Sequence, residues 1–128
     1  MESYLSSDLS KVTVSTLLKM KRAGEKITML TAYDYTTAKI LDDAGIDSIL
    51  IGDSASNVMA GYDTTIPMTL DQMIVYSASV SRAVRRALIV CDMPFGTYTN
   101  PADGVRNAVR LMQDCLLYTS PSPRDSTS

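Results

Sequence analysis

Histidine is absent from the 128 residues. That excludes His-based metal sites, Ser-His-Asp and Cys-His nucleophile pairs, and imidazole acid–base catalysis. Any chemistry has to run on carboxylates, Lys, Tyr, Ser or Cys. Cysteine is scarce: Cys91 and Cys115 have no CxxC spacing. This excludes a disulfide framework, a zinc ribbon and a redox dithiol, and points to a reducing, cytoplasmic setting. Charge of one sign is also lacking, because 12 basic and 14 acidic side chains leave a net −2. No surface that would release counterions from nucleic acid or an anionic membrane is expected. No apolar run approaches the roughly 20 residues that span a bilayer. The segment from Met1 to Lys11 is polar and charged, without the apolar core of a signal peptide. The glycine-containing run Gly52-Asp53-Ser54-Ala55-Ser56 is neither GxGxxG nor a P-loop, so nucleotide binding has little support.

What is present is the composition of one ordinary globular domain, 45% hydrophobic and 20% charged. Helical and strand patterns alternate from residue 12 to residue 114. Val14, Leu17 and Leu18 predict a helix over 14–23, stopped at Gly24. Residues 27–32 and 48–52 read as buried strands, separated by a helix over 35–44 that Gly45 closes. A polar loop over 53–67 follows. Thr69 and Gln72 have capping-box spacing at the head of a third helix, with Met73, Tyr76, Val80 and Val84 at helical intervals. Arg82, Arg85 and Arg86 suit the negative end of that helix. Residues 87–91 read as a third buried strand. Asn100 and Pro101 are a good N-cap and first residue for a fourth helix, whose stripe is Val105, Ala108, Val109 and Met112. Strands without polar alternation, separated by helices, imply a parallel α/β sheet. An open doubly wound sheet and the first part of a (β/α)8 barrel both fit.

The end of the chain is of another kind. Residues 115–128 are rich in Ser, Pro and Thr, and aperiodic. Cys115 to Ser120 can be encoded as TGT CTC TTA TAC ACA TCT, a transposon end used in sequencing libraries. CCG AGC CCA CGA GAC continues it in frame through Pro121-Ser122-Pro123-Arg124-Asp125, as the adapter that follows does. The expected organisation is therefore a tail over 1–11, the fold over 12–114, and a non-native disordered tail over 115–128. The original reading frame is expected to be longer than Asp114.

In parallel α/β proteins, sites form at the carboxy-terminal ends of strands. Asp34, Asp53 and Asp92 stand just beyond the three expected strands. Neighbouring strands lie about 4.8 Å apart, so Asp53 and Asp92 could share one hard divalent cation. Without a cation the two carboxylates would repel, and one would hold its proton. The plainer alternative is that each aspartate caps a helix or a turn, most of all Asp34. Ser54 could bind a substrate carboxylate or merely form the turn. Cys91 reads as a small core residue rather than a nucleophile, Tyr98 as packing or site lining, and Lys11, Lys19, Lys21 and Arg22 as a solvated helix face.

The strings themselves carry a resemblance. Ile27-Thr-Met-Leu-Thr-Ala-Tyr-Asp-Tyr35, Leu50-Ile-Gly-Asp-Ser54, Gly61-Tyr-Asp-Thr-Thr-Ile-Pro-Met-Thr69 and Cys91-Asp-Met-Pro-Phe-Gly-Thr-Tyr98 are similar, in order and spacing, to motifs of the ketopantoate hydroxymethyltransferases. The helix from Val14 resembles the one that closes the bottom of that family's barrel. The resemblance implies the amino-terminal part of a (β/α)8 (TIM) barrel of the phosphoenolpyruvate/pyruvate type, with about three strands and the barrel incomplete. It implies transfer of a hydroxymethyl group from 5,10-methylenetetrahydrofolate to 3-methyl-2-oxobutanoate, giving 2-dehydropantoate for pantothenate and coenzyme A synthesis. It implies one Mg2+ per subunit at Asp53 and Asp92, oxo-acid binding by Asp53, Ser54 and Asp92, and a homodecameric full-length protein. No role follows for Asp34 or Tyr33. The family's substrate lysine, its further metal-ligating glutamate and its general-base glutamate would all lie beyond Asp114, so this chain alone is expected to be inactive. Two other readings stay open: another metal-dependent lyase or mutase of oxo acids on the same barrel, and a non-catalytic α/β module.

Overall fold

The computed structural model describes residues 11–64, 68–94, 96 and 99–115. The expectations for Tyr98, for residues 1–10 and for the tail over 116–128 lie outside the described residues. Along the chain run α1 (Val14–Arg22), β1 (Met29–Thr31), α2 (Tyr35–Asp43), β2 (Ser48–Ile51), α3 (Ala55–Val58), α4 (Leu70–Ala83), β3 (Leu88–Cys91) and α5 (Pro101–Cys115).

Local chemistry sets most boundaries. At α1, Thr13 and Thr16 form a reciprocal capping box, and Thr69 with Gln72 does the same at α4. Asp34 caps α2 by accepting the Thr37 N–H at 3.0 Å, and Asn100 accepts the Asp103 N–H at 2.9 Å at the head of α5. α2 stops at Gly45, whose φ of +92° is the left-handed turn that a glycine takes without strain. The expected loop after β2 contains the short helix α3, a single turn that its polar sequence did not signal.

The three strands pair in parallel in the order β1-β2-β3. Met29 is level with Ser48 and Leu88, and Thr31 with Leu50 and Val90. α2 and α4 pack on each other and cover one face of the sheet, where Ile49, Ile51, Ile89 and Cys91 join Ala38, Met73 and Val80 in the core. Cys91 is a core residue as expected, with its Sγ 3.1 Å from Ser77 Oγ. On the opposite face Leu50 and Val90 are only half-buried. Helices on one side and an open face on the other suit the wall of a barrel.

Several burial expectations are corrected. β1 is not a buried strand: all three of its residues are exposed, Leu30 by 53%. Both β1 and β3 are edges of the sheet, but among the described residues β1 is left uncovered where β3 is largely buried, although the apolar residues of β1 match those of β2. α1 has no buried residue, and Val14 and Leu18 are about half exposed. On α5 the buried positions are Gly104 and Leu111, while Val105 is 65% exposed and Val109 46%. A helix on the outside of a barrel touches strands with one face and neighbouring helices with its flanks, and here α4 is the helix it meets. Helix α4 ends at Ala83, so Val84, Arg85 and Arg86 lie beyond it. Arg86 does serve a helix carboxy-terminus, but that of α2: its Nη1 donates to Gly45 O at 3.1 Å and Ile46 O at 3.2 Å.

Candidate functional site

The site grows out of the strand register. One step beyond β2 and β3, Asp92 N–H donates to Ile51 O at 3.0 Å, which continues the ladder and brings Asp92 level with Gly52. Ala32 N–H donates to Leu50 O at 3.2 Å, which in the same way brings Tyr33 level with Gly52. Tyr33, Gly52 and Asp92 therefore form one row across the carboxy-terminal rim, on the open face of the sheet. Glycine in the middle of that row matters. A β-carbon there would lie 3.3 Å from Asp92 Oδ2 and 3.5 Å from Ser54 Oγ. The two oxygens thus flank a space that only a missing side chain leaves free.

Asp53 lies near enough to Asp92 for its charge and its N–H to act on that carboxyl. The Asp53 charge is among the causes that raise the Asp92 pKa above the ordinary carboxylate range; burial is the larger cause, and a hydrogen bond from the Asp53 N–H partly opposes both. Asp92 is therefore half-buried, beside a like charge and short of donors, the condition in which a carboxylate gains most from a cation. Its surroundings provide oxygen donors of the kind hard cations prefer. Among the described residues no group of three or more His, Cys, Asp or Glu side chains converges, so the protein donors here amount to this pair plus the neighbouring hydroxyl. The residues present fit a magnesium-like ion that keeps open positions for other ligands.

Ser54 stands at the same rim and hydrogen-bonds the hydroxyl of Tyr33. Tyr33 is 8% exposed. No role followed for it from the sequence, because its register with Gly52 exists only in the folded sheet. Asp34, also at this rim, is accounted for as the α2 cap; the Thr37 hydrogen bonds hold its carboxyl below the usual range. Lys19, Lys21 and Arg22 are exposed in the last turn of α1. Lys11 departs from the expected solvated face. It precedes the helix, is half-buried, and its Nζ lies 3.5 Å from Ala87 O; burial lowers its pKa, against an opposing effect of Asp42.

A second acidic cluster lies at the opposite rim. Asp42, 6% exposed, accepts from Arg85 N at 2.8 Å, Arg86 N at 3.2 Å and Ala87 N at 2.8 Å. Asp47 accepts from Thr28 N at 2.9 Å and Thr28 Oγ1 at 3.0 Å, with Arg86 Nη2 3.7 Å away. Together these contacts tie the α2 end and the start of β1 and β2 to the turn before β3.

Comparison with known proteins adds the following. A family model described as "Ketopantoate hydroxymethyltransferase" matches residues 11–117. A Cytophaga hutchinsonii protein named 3-methyl-2-oxobutanoate hydroxymethyltransferase is 61% identical over 109 residues, which is 84% of this chain and 40% of that protein. A Phocaeicola vulgatus protein of the same name is 60% identical over 114 residues, 88% of this chain and 42% of that protein. The chain thus spans about two fifths of the length of the curated relatives it matches. Among solved structures, a phosphoenolpyruvate phosphomutase from Streptomyces platensis subsp. rosaceus aligns with a TM-score of 0.66 at 18% identity, over 83% of this chain and 36% of that one. A 2,3-dimethylmalate lyase of the PEP mutase/isocitrate lyase superfamily aligns at 0.61 and 16% identity, over 83% and 37%. At such identities the likeness concerns the fold alone: the three-stranded sheet with its helices aligns with about a third of the fold of these proteins.

Proposed function

The chain belongs to the ketopantoate hydroxymethyltransferase family, a family of transferases, and from that premise we propose that it supplies the metal and oxo-acid side of a transferase site. The reaction is transfer of a hydroxymethyl group from 5,10-methylenetetrahydrofolate to 3-methyl-2-oxobutanoate, yielding 2-dehydropantoate for pantothenate synthesis. The observation that carries this reading is the meeting of Asp53, Ser54 and Asp92 at one strand rim, with Asp92 burdened by burial and by the Asp53 charge.

Asp53 and Asp92 would hold a magnesium ion. Bound there, the ion would supply Lewis-acid polarisation of the oxo acid. Asp92 has to give up its proton to bind a cation, so binding releases a proton and strengthens as pH rises through its raised pKa. Gly52 keeps the space between Asp92 and Ser54 open for ligand atoms. The Ser54 hydroxyl offers a hydrogen bond to a substrate carboxylate, and the half-buried rim limits competition from water. The buried thiol of Cys91 suits a reducing cytoplasm.

The test is a chimera in which residues 12–114 replace the corresponding segment of the Cytophaga hutchinsonii relative. It should form 2-dehydropantoate, lose activity to a chelator and regain it with magnesium. Turnover that ignores the chelator would remove the metal from this reading, and a folded chimera without turnover would remove the function. The 128-residue chain alone should show no transferase rate, because three strands do not close a barrel.

A further inference from the structure

We infer that Tyr33 is a positioning residue for the oxo acid: its hydroxyl donates to Ser54 Oγ and so commits the Ser54 proton to the ligand. The inference rests on the proposed oxo-acid site and deepens it.

Three observations support the assignment. The Tyr33 ring is buried, and a buried phenol needs a polar partner; that partner is Ser54 Oγ. The row Tyr33–Gly52–Asp92 puts this pair on the same rim and face as Asp92, with Ser54 Oγ and Asp92 Oδ2 both bordering the empty β-carbon position of Gly52. Finally, a serine hydroxyl carries one proton. A carboxylate ligand can only accept, so Ser54 serves it only by donating. The hydrogen bond to Tyr33 then has to run from the phenol to the serine. Tyr33 thus fixes both the rotamer and the donor direction of Ser54 without touching the ligand itself. A serine without that partner would be free to turn its proton to other acceptors.

The experiment uses the chimera described above and measures binding of 3-methyl-2-oxobutanoate by calorimetry in excess magnesium. Tyr33→Phe should weaken oxo-acid binding about fivefold, the equivalent of one ordinary hydrogen bond of about 1 kcal/mol. Magnesium affinity and melting temperature should stay unchanged. In a Ser54→Ala background, Tyr33→Phe should have no further effect, since the group it orients is gone. Equal binding by the Tyr33→Phe protein overturns the inference and leaves the proposed function standing. So does a fivefold loss that persists in the Ser54→Ala background, because Tyr33 would then act by another route. A Tyr33→Phe protein that melts early or loses magnesium assigns the residue to the fold and overturns it too. If the unsubstituted chimera binds magnesium but no oxo acid, the function and this inference fall together.

Discussion

At the amino-terminal rim of the sheet, Asp42 and Asp47 are surrounded by donors; at the carboxy-terminal rim, Asp92 is buried beside another acid. Asp42 sits in the last turn of α2, Asp47 just before β2 and Asp92 just after β3. The lower pair is satisfied by backbone N–H groups of residues 85–87, by Thr28 and by Arg86. Such carboxylates are structural: their charge is consumed in holding turns together. Asp92 has the opposite balance. Burial and Asp53 both work against its charge, and the Asp53 N–H only partly compensates. What separates Asp92 from Asp42 and Asp47 is thus the supply of donors, ample around the lower pair and scant around Asp92. This is the division of labour that barrels show between their two faces.

Three substitutions in the chimera would break or sharpen that contrast. The largest effect should come from Asp42→Ala. It deprives the N–H groups of Arg85, Arg86 and Ala87 of their shared acceptor, at about 1–3 kcal/mol for the buried Ala87 group and less for each of the two part-buried ones. A loss of roughly 3 kcal/mol or more should appear in urea denaturation. A loss below about 1 kcal/mol would mean that the lower cluster is not what secures the rim.

Asp92→Asn should split stability from binding. Magnesium affinity, read by titration calorimetry, should fall more than about 100-fold, beyond what disturbing a ligand's orientation usually costs. The metal-free protein should melt higher. The sign follows from linkage: because the folded pKa lies above the unfolded one, the folded state holds the proton over that window. The contribution of Asp92 to stability is therefore full below the unfolded pKa and is lost as pH rises through the folded pKa. Metal-free stability of the parent should decline with pH over that interval, while its magnesium affinity climbs; in the Asn variant both slopes attributable to this group should vanish. Unchanged slopes would contradict the assignment of the raised pKa to Asp92.

The smallest of the three effects should come from Gly52→Ala. A β-carbon 3.3 Å from Asp92 Oδ2 requires the carboxylate to give by a few tenths of an ångström. Magnesium affinity should drop by about tenfold, the low end for residues that orient a ligand. Unaltered affinity would show that the space above Gly52 is not used.

Much of the fold was legible in advance because it is written in local chemistry. Asp34, Thr69, Asn100 and Gly45 mark helix ends through hydrogen bonds and backbone conformations that span only a few residues. Burial was legible only in part. Met29 and Leu30 are as apolar as Ile49 and Ile51, yet they are exposed, because a strand's burial depends on neighbours far along the chain. Val105 and Val109 failed as a buried stripe for the same reason: periodicity gives an amphipathic helix but not which of its flanks is met. Arg86 was assigned to the nearest helix end, when its guanidinium reaches back about forty residues to the end of α2. The site was legible as strand-end aspartates with a following serine. Tyr33 was not, because its link to Ser54 crosses between strands and leaves no spacing to read.

By itself the amino-acid sequence determined the kinds and order of the main elements, their caps, the lack of histidine within these 128 residues and the motifs that tie the chain to its family. These depend on side-chain properties and short-range contacts. Only the tertiary structure decided which aspartates receive donors and which are left burdened, and it placed Tyr33, Gly52 and Asp92 in one row. Those outcomes are set by strand register and by burial against distant segments, which act only once the chain has been brought together.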